Sequence, residues 1–258
     1  MATVGFDLSG KVAIVTGSTQ GIGLGVVEQF CSAGASCVLS SEDATAVTTI
    51  ETNLRSDGFD VAGVKCDVTD KHALADLVDG TAGEYGGLDI VVCNAGITGE
   101  AGPITDVDEA DYRRVFDVNL HSMVALCNLA RPHLEARGGG SIVLISSISG
   151  LRGNAAINAY ALSKAGVAQL ARNLAVQWGP QNIRANAISP GLIRTEFSQP
   201  LLADESFMQR RMQMTPLRRP GEISEVAGCA HFLASDAGAF VTGHNLVVDG
   251  GTTITDGS

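Results

Sequence analysis

Short apolar runs rich in Val, Ile and Leu alternate along the chain with longer segments in which apolar residues recur at helical spacing. The short runs are typical of buried parallel strands, and the longer segments are typical of amphipathic helices. Strands are predicted at residues 11–16, 36–40, 61–65, 88–93, 141–146, 183–188 and 246–248. Helices are predicted at residues 24–33, 44–56, 71–85, 112–136 and 159–178, with Asp67 or Thr69 capping the third. The repeated β-α-β units predict one α/β domain over residues 1–258, with a doubly wound parallel seven-stranded sheet and helices on both faces.

Polar residues and glycines follow the predicted strands where each strand ends. In a parallel sheet these ends meet at one edge, and ligands bind there. The residues at these positions are Gly17, Ser41, Asp67, Asn94, Ser147 and Pro190. One irregular insertion, residues 194–220, is rich in Met and Arg and carries two Phe. It is interpreted either as a surface helix pair or as a mobile lid over a substrate.

The first predicted strand runs directly into a loop with glycines at positions 17, 21 and 23, and a helix follows. Glycine permits a tight turn and a close approach of the backbone to a pyrophosphate, and the helix N-terminus offers free N–H groups. The spacing differs from G-x-G-x-x-G, and an ordinary strand-to-helix turn is the alternative. The sequence of strand, glycine loop and helix favours dinucleotide binding.

Tyr160 and Lys164 stand four residues apart in a predicted helix, so their side chains lie on one face. A phenol titrates near pH ~10 in water, which is too high for acid–base work at neutral pH. A nearby cation favours the phenolate and lowers this pKa. The pair is a candidate proton-transfer device, and two unrelated surface residues are the alternative.

In their order and intervals, these motifs resemble those of the short-chain dehydrogenase/reductase family, in particular its compact single-domain branch. The resemblance extends over residues 8–251. The matching motifs are Thr16-Gly17-x-x-x-Gly21-Ile22-Gly23, Cys93-Asn94-Ala95-Gly96, Asn119, Ser147, Tyr160-x-x-x-Lys164 and Pro190-Gly191. Cys93 stands where the family often has Asn, and Gln20 stands where many members have Arg. The resemblance implies a Rossmann-type fold and favours a lid at residues 194–220.

The resemblance also implies a catalytic role for each of four residues. Tyr160 is the expected general acid or base, and Lys164 is expected to lower its pKa and to hold the cofactor ribose. Ser147 is expected to hydrogen-bond the substrate oxygen, with Ser146 and Ser149 as alternatives. Asn119 is expected to position a water in a proton relay, and a helix polar residue without this role is the alternative.

The cofactor implied by the resemblance is a nicotinamide dinucleotide. The residues expected to contact it are Gly17, Ser18, Gln20, Gly21, Ile22, Gly23, Ser41, Glu42, Asp67, Val68, Asn94, Ala95, Gly96, Tyr160, Lys164, Pro190, Gly191, Ile193 and Thr195. NAD is preferred to NADP in this prediction because the Glu42 carboxylate would repel a 2′-phosphate. Many NAD-preferring relatives have Asp at position 41, where this chain has Ser41.

Bulk properties narrow the classes of partner. A net charge of −11 and a pI near 4.8 argue against nucleic-acid binding. The apolar runs are too short to span a bilayer, and no basic-plus-apolar leader is visible at residues 1–10, so a cytoplasmic protein is expected. The cysteines form no C-x-x-C pair and the histidines form no metal motif, so no metal is expected.

The predicted function is reversible oxidation of a small-molecule secondary alcohol to a ketone. Two alternatives stay open: a nicotinamide-binding regulatory protein without turnover, and a reductase of an imine or enone. A homotetramer is expected, with contacts through the helices at 108–136 and 159–178 and the strand at 245–248.

Overall fold

Seven strands form one parallel sheet in the computed structural model, which describes residues 5–255. They are β1 (Val12–Thr16), β2 (Ser36–Ser41), β3 (Val61–Lys65), β4 (Ile90–Cys93), β5 (Gly140–Ile145), β6 (Ile183–Pro190) and β7 (Asn245–Val248). Their order across the sheet is β3-β2-β1-β4-β5-β6-β7. The predicted doubly wound, Rossmann-type sheet is therefore confirmed. Residues 1–4 and 256–258, which the prediction included in the domain, lie outside the described residues.

Helices cover both faces of this sheet. They are α1 (Gly21–Ser32), α2 (Ala44–Ser56), α3 (Lys71–Tyr85), α4 (Glu109–Phe116), α5 (Ser122–Ala136), α6 (Asn158–Trp178), α7 (Gln199–Leu202), α8 (Glu205–Gln213) and α9 (Ile223–Ala234). Buried side chains of α3, α5 and α6 form one core with one face of the sheet, and those of α1, α2 and α9 form a second core on the other face. Within β1, Ile14 belongs to the first core and Val15 to the second, as expected for a strand buried on both sides.

The predicted helix at residues 112–136 is interrupted. A π-helical turn, Asp117–His121, lies between α4 and α5, and it contains the fully buried Asn119. A π turn places one extra residue in the helix, and such turns are frequent at functional sites. Apolar periodicity does not reveal it because the helical pattern continues on both sides.

Two further details differ from the sequence-based prediction. Helix α9 was not predicted at all, although it packs extensively against α1. The side chain that caps α3 is Asp70, whose Oδ1 accepts from the N–H groups of His72 and Ala73, rather than Asp67 or Thr69.

The insertion at residues 194–220 consists of a short 3₁₀ turn, Glu196–Ser198, followed by α7 and α8. This is the helical arrangement that one interpretation expected, and motion of the segment stays a prediction. Within residues 5–255, no helix combines the length and apolar character needed to cross a bilayer.

Candidate active site

The loop between β1 and α1 folds tightly against the segment after β4. Gly17 has a φ of +59°, and a Cβ on it would lie 2.8 Å from the Cα of Ala95. A Cβ on Gly23 would lie 2.5 Å from the carbonyl oxygen of Gly17. A larger residue at either position would push the loop away from β4, so both glycines are required for this geometry.

The first turn of α1 has features of an anion site. Its N-cap residue, Gln20, makes no side-chain cap hydrogen bond, and the turn contains no acidic residue. By contrast, α2 and α3 are capped by Asp43 and Asp70. The N–H groups of Gly21, Ile22 and Gly23 have no acceptor within the helix, and they fit the diphosphate of a dinucleotide.

Thr195 faces this turn from the other side of the crevice. A Cβ on Gly21 would lie 3.6 Å from the Cγ2 of Thr195. Thr195 also caps the 3₁₀ turn that begins the insertion, because its Oγ1 accepts from the N–H of Ser198 at 3.3 Å. Two segments that are far apart in sequence thus meet where the predicted cofactor contacts require them to meet.

Ser18 is turned into the protein. Its Oγ donates to the carbonyl oxygen of Val15 at 2.6 Å and accepts from the N–H of Ser40 at 3.0 Å. The Ser18 N–H donates to the carbonyl oxygen of Ser40 at 3.0 Å. The fully buried side chain therefore ties β1 to β2. The predicted cofactor contact by Ser18 is not supported, since its hydroxyl and N–H are both used internally.

The ends of β2 and β3 lie side by side, because the N–H of Cys66 donates to the carbonyl oxygen of Ser41 at 2.9 Å. This brings together four of the residues predicted to contact the cofactor. Glu42 and Asp67 are exposed, Ser41 is half-buried and Val68 is buried. The Oδ1 of Asp67 accepts from the N–H and the hydroxyl of Thr69 at 2.9 and 2.8 Å, which shapes the turn into α3.

Asn94 links β4 to the glycine loop. Its Nδ2 donates to the carbonyl oxygens of Thr16 at 3.0 Å and Gly17 at 2.7 Å. The Oγ1 of Thr16 accepts from the N–H groups of Asn94 and Ala95. Asn94 therefore braces the centre of the sheet, as the resemblance implied, and Thr16 is a structural partner to which the sequence analysis gave no role.

The π turn places Asn119 beside the segment that follows β4. Its Oδ1 accepts from the N–H of Ile97 at 2.8 Å, and its Nδ2 donates to the carbonyl oxygen of Ile97 at 2.9 Å and to the Oγ of Ser163 at 3.1 Å. These bonds hold the segment after β4 against α6, and a water positioned by Asn119 stays a prediction. Ser163 was also missed, although a Ser beside Lys164 on the buried side of a helix is a visible signal.

Lys164 is almost fully buried, and its Nζ donates to the carbonyl oxygen of Ile145 at 2.7 Å. Gly96 leaves room for it, because a Cβ there would lie 3.4 Å from the Lys164 Nζ and 3.3 Å from the Asn119 Oδ1. Burial lowers the pKa of Lys164 to about 8. The ammonium lies 5.6 Å from the ring centroid of Tyr160, so the two residues share a helix face as predicted.

The pKa of Tyr160 differs in direction from the expectation. Burial raises this pKa above its ordinary value, and the side chain of Ser147 opposes the rise. The net shift is therefore upward, and the lowering of this pKa by Lys164 stays a prediction. Desolvation dominates because the loss of hydration on burial destabilises the phenolate more than attraction to the distant ammonium stabilises it.

The structure distinguishes between the neighbouring serines. The Oγ of Ser146 donates to the carbonyl oxygen of Lys164 at 2.7 Å and therefore packs β5 against α6. The Oγ of Ser147 instead accepts from the N–H of Ser149 at 3.1 Å. Alternating side chains at a strand end explain why adjacent serines face opposite sides.

The segment after β6 joins the sheet to the insertion. Pro190 is buried, and Gly191 donates from its N–H to the carbonyl oxygen of Val248 at 2.9 Å. Ile193 forms an isolated parallel bridge with Gly221, so both ends of the insertion meet. The ring of Phe197, near the beginning of the insertion, lies 6.3 Å from the ring of Tyr160 by their centroids.

Comparison with known proteins bears on this site. A family model described as enoyl-(acyl carrier protein) reductase matches residues 17–253. The chain is 36% identical to dehydrogenase/reductase SDR family member 4 of Oryctolagus cuniculus, over 95% of this chain and 94% of that protein. It is 40% identical to a cis-4-hydroxycyclohexanecarboxylate dehydrogenase of Sinomonas cyclohexanicum, over 94% and 96% of the two chains.

Solved structures with the same fold include two with bound cofactor. A gluconate 5-dehydrogenase of Burkholderia cenocepacia in complex with NADP and tartrate is 32% identical, with a TM-score of 0.93 over 97% of this chain and 98% of that one. A 7α-hydroxysteroid dehydrogenase complexed with NADH and 7-oxoglycochenodeoxycholic acid is 37% identical, with a TM-score of 0.91 over 95% of each chain.

Proposed function

Because the chain belongs to the short-chain dehydrogenase/reductase family, we propose that it interconverts a secondary alcohol and a ketone with a nicotinamide cofactor. The observation that carries the proposal is the position of Lys164, whose ammonium lies 5.6 Å from the ring centroid of Tyr160, while Ser147 stands just after the end of β5. These groups lie on the edge of the sheet that also holds the uncapped N-terminus of α1.

The bound nicotinamide supplies or accepts the hydride in this chemistry. Tyr160 exchanges the proton of the substrate hydroxyl, and burial keeps the resting phenol protonated near neutral pH. Ser147 hydrogen-bonds the substrate oxygen as negative charge develops on it. Lys164 supplies a fixed positive charge next to the phenolate that forms, and it is largely cationic below its pKa of about 8.

NAD is the proposed cofactor. The solved relatives differ in this respect, since one is a complex with NADP and another with NADH. The proposal therefore depends on Glu42, whose exposed carboxylate follows the end of β2. A carboxylate there accepts from a ribose hydroxyl and repels a 2′-phosphate.

A homotetramer is the proposed assembly. Apolar side chains on α5 and α6 are left exposed, namely Val124, Leu162 and Val176, and β7 is the edge strand of the sheet. An unpaired edge and exposed apolar helix faces are surfaces that symmetric association buries.

The test is a substrate panel followed by nicotinamide absorbance, with secondary alcohols, ketones and enones offered with each cofactor. Oxidation of alcohols and reduction of ketones, both lost in Tyr160→Phe, support the proposal. Reduction of carbon–carbon double bonds alone favours the enone alternative, which the description of the matched family model makes worth including. Cofactor binding without turnover of any compound favours the regulatory alternative.

A further inference from the structure

The chain that leads into Tyr160 is tied to the segment that follows β4. Helix α6 begins at Asn158, so Tyr160 lies in its first turn. The Nδ2 of Asn158 donates to the carbonyl oxygen of Gly102 at 2.7 Å, and the N–H of Gly102 donates to the carbonyl oxygen of Ala156 at 2.8 Å. Gly102 also forms an isolated parallel bridge with Ile157. One residue of the segment after β4 therefore contacts the chain on both sides of the helix start.

A second tie reaches the same turn from the same segment. Asn119, whose amide is paired with the backbone of Ile97, also donates from its Nδ2 to the Oγ of Ser163 at 3.1 Å. The Oγ of Ser163 in turn donates to the carbonyl oxygen of Tyr160 at 2.8 Å. Asn158 and Ser163 thus flank Tyr160 along α6, and both connect the first turn to the segment after β4.

This segment is itself held at its middle by α4. The N–H of Glu100 donates to the Oδ2 of Asp111 at 2.7 Å. Gly99 has a φ of +69°, and a Cβ on it would collide with the Cγ2 of the fully buried Val115. Because the segment rests on α4, a hydrogen bond from it can give the start of α6 a fixed position.

The start of α6 lacks the local support that other helices of the chain have. Asp43 and Asp70 cap α2 and α3 with their side chains. The N-cap position of α6 is occupied by Ile157, whose side chain cannot accept a hydrogen bond. An uncapped helix end opens locally unless tertiary contacts hold it. The bond from Asn158 to Gly102 is such a contact, and it lies two residues before Tyr160.

We propose that Asn158 is a positioning residue, which through its bond to Gly102 holds the first turn of α6 so that the phenol of Tyr160 stays aligned with the reacting oxygen. The inference rests on the proposed function and adds to it a residue that acts through Tyr160. Proton transfer requires close alignment of donor and acceptor, and a displacement of about 1 Å can lower a rate on the order of 10²-fold. The tie does not involve the glycine loop after β1, so cofactor affinity should not depend on it.

The experiment compares Asn158→Asp with the matched control Asn182→Asp. Asp keeps the size of Asn but loses the N–H donor, and at position 158 its carboxylate would face the carbonyl oxygen of Gly102. A carboxylate in the first turn interacts favourably with the helix dipole, so the intrinsic helix preference is not reduced. With an alcohol that the wild type oxidises, kcat should fall on the order of tenfold to a hundredfold in Asn158→Asp, while the Kd for cofactor stays unchanged. The Nδ2 of Asn182 donates to the carbonyl oxygen of Gly138 at 3.1 Å, at the start of β6 and thus at the opposite edge of the sheet, and its loss should leave kcat unchanged.

A second measurement, amide hydrogen exchange, requires no turnover. The N–H of Ala161 donates to the carbonyl oxygen of Ile157 at 2.9 Å, so its protection reports on the first turn of α6. We expect faster exchange at Ala161 in Asn158→Asp than in the wild type or Asn182→Asp, with exchange in α5 unchanged.

Three outcomes overturn the inference: a wild-type kcat in Asn158→Asp, an equal loss of kcat in Asn182→Asp, or a loss of kcat that is matched by a loss of cofactor affinity. In each of them the wild type still oxidises the alcohol, so the proposed function stands. If the wild type turns over no compound, the proposed function fails and hydrogen exchange decides on Asn158. Faster exchange at Ala161 in Asn158→Asp then supports the tie, and unchanged exchange refutes it.

Discussion

Lys164 holds its ammonium 5.6 Å from the ring centroid of Tyr160 while its Nζ donates to the carbonyl oxygen of Ile145. The charge is thus placed behind the phenol by a hydrogen bond to the end of β5 and not by an ion pair. A cation in this position favours the phenolate, while burial of the phenol acts in the opposite direction and raises its pKa.

Replacing Tyr160 by Phe is expected to lower kcat by about 10²–10⁴-fold, because the proton donor is lost. The thermal transition and cofactor affinity should change little, since the ring and its contact with Phe197 are kept. Tyr112→Phe is the control, as Tyr112 stacks on Phe116 in α4. A Tyr160→Phe enzyme with near-normal turnover would exclude Tyr160 as the acid–base group.

Burial of Lys164 makes a specific prediction about stability and pH. The folded pKa, about 8, lies below the ordinary 10.5, so the unfolded chain binds more protons between these values. Burying the charge therefore costs stability at pH 8 and below, by about 3 kcal/mol at most, and this cost disappears as pH rises toward 10.5. Chemical denaturation at several pH values should show that, above pH 8, the free energy of unfolding of the wild type rises relative to that of Lys164→Met. A constant difference between the two proteins across this range would contradict the burial effect.

Glu42→Arg is expected to shift the ratio of kcat/KM for NADP over NAD upward, by at least tenfold if the arginine reaches a 2′-phosphate. The reason is the exchange of a repelling charge for an attracting one. Glu84→Arg makes the same change of charge at an exposed position of α3, and it should leave the ratio alone. An unchanged ratio in Glu42→Arg, or a wild-type preference for NADP, would refute the assignment of Glu42 to the cofactor site.

The insertion at residues 194–220 is expected to exchange amide hydrogens faster than β5 in the cofactor-free protein, and to become protected when substrate and cofactor are present. Its ends are held by the salt bridges of Arg194 with Glu222 and of Arg219 with Glu225. Arg219→Gln should accelerate exchange in α8 without affecting β5. Equal protection of the insertion and β5 in the free protein would argue against a lid.

Light scattering at micromolar concentration is expected to give a mass about four times the 26.6 kDa of one chain. Val176 is 80% exposed on α6, and Val176→Arg should reduce the mass by placing a charge in an apolar contact. Thr48→Arg adds the same charge on the exposed face of α2, and it should leave the mass unchanged. A monomeric wild type would refute the assembly.

Much of the site follows from the sequence because the strands themselves are encoded locally. The apolar β-branched runs predict parallel strands, and parallel strands bring their carboxyl ends to one edge whatever the order of the sheet. Gly17, Asn94 and Ser147 therefore lie at one edge of the sheet, after β1, β4 and β5. Helix α9 was not predicted because it follows the long insertion, with no strand directly before it to mark a β-α-β unit.

The sequence by itself determined the fold class, the family and the chemical types at the catalytic edge, since these depend on periodicity and on spacing along one chain. Only the tertiary structure decided what each polar group is free to do. The hydroxyls of Ser18 and Ser146 are used by backbone groups, and the amide of Asn119 is used by the backbone of Ile97 and the hydroxyl of Ser163. Burial, hydrogen-bond partners and pKa values depend on groups brought together by folding, and no local pattern of residues records them.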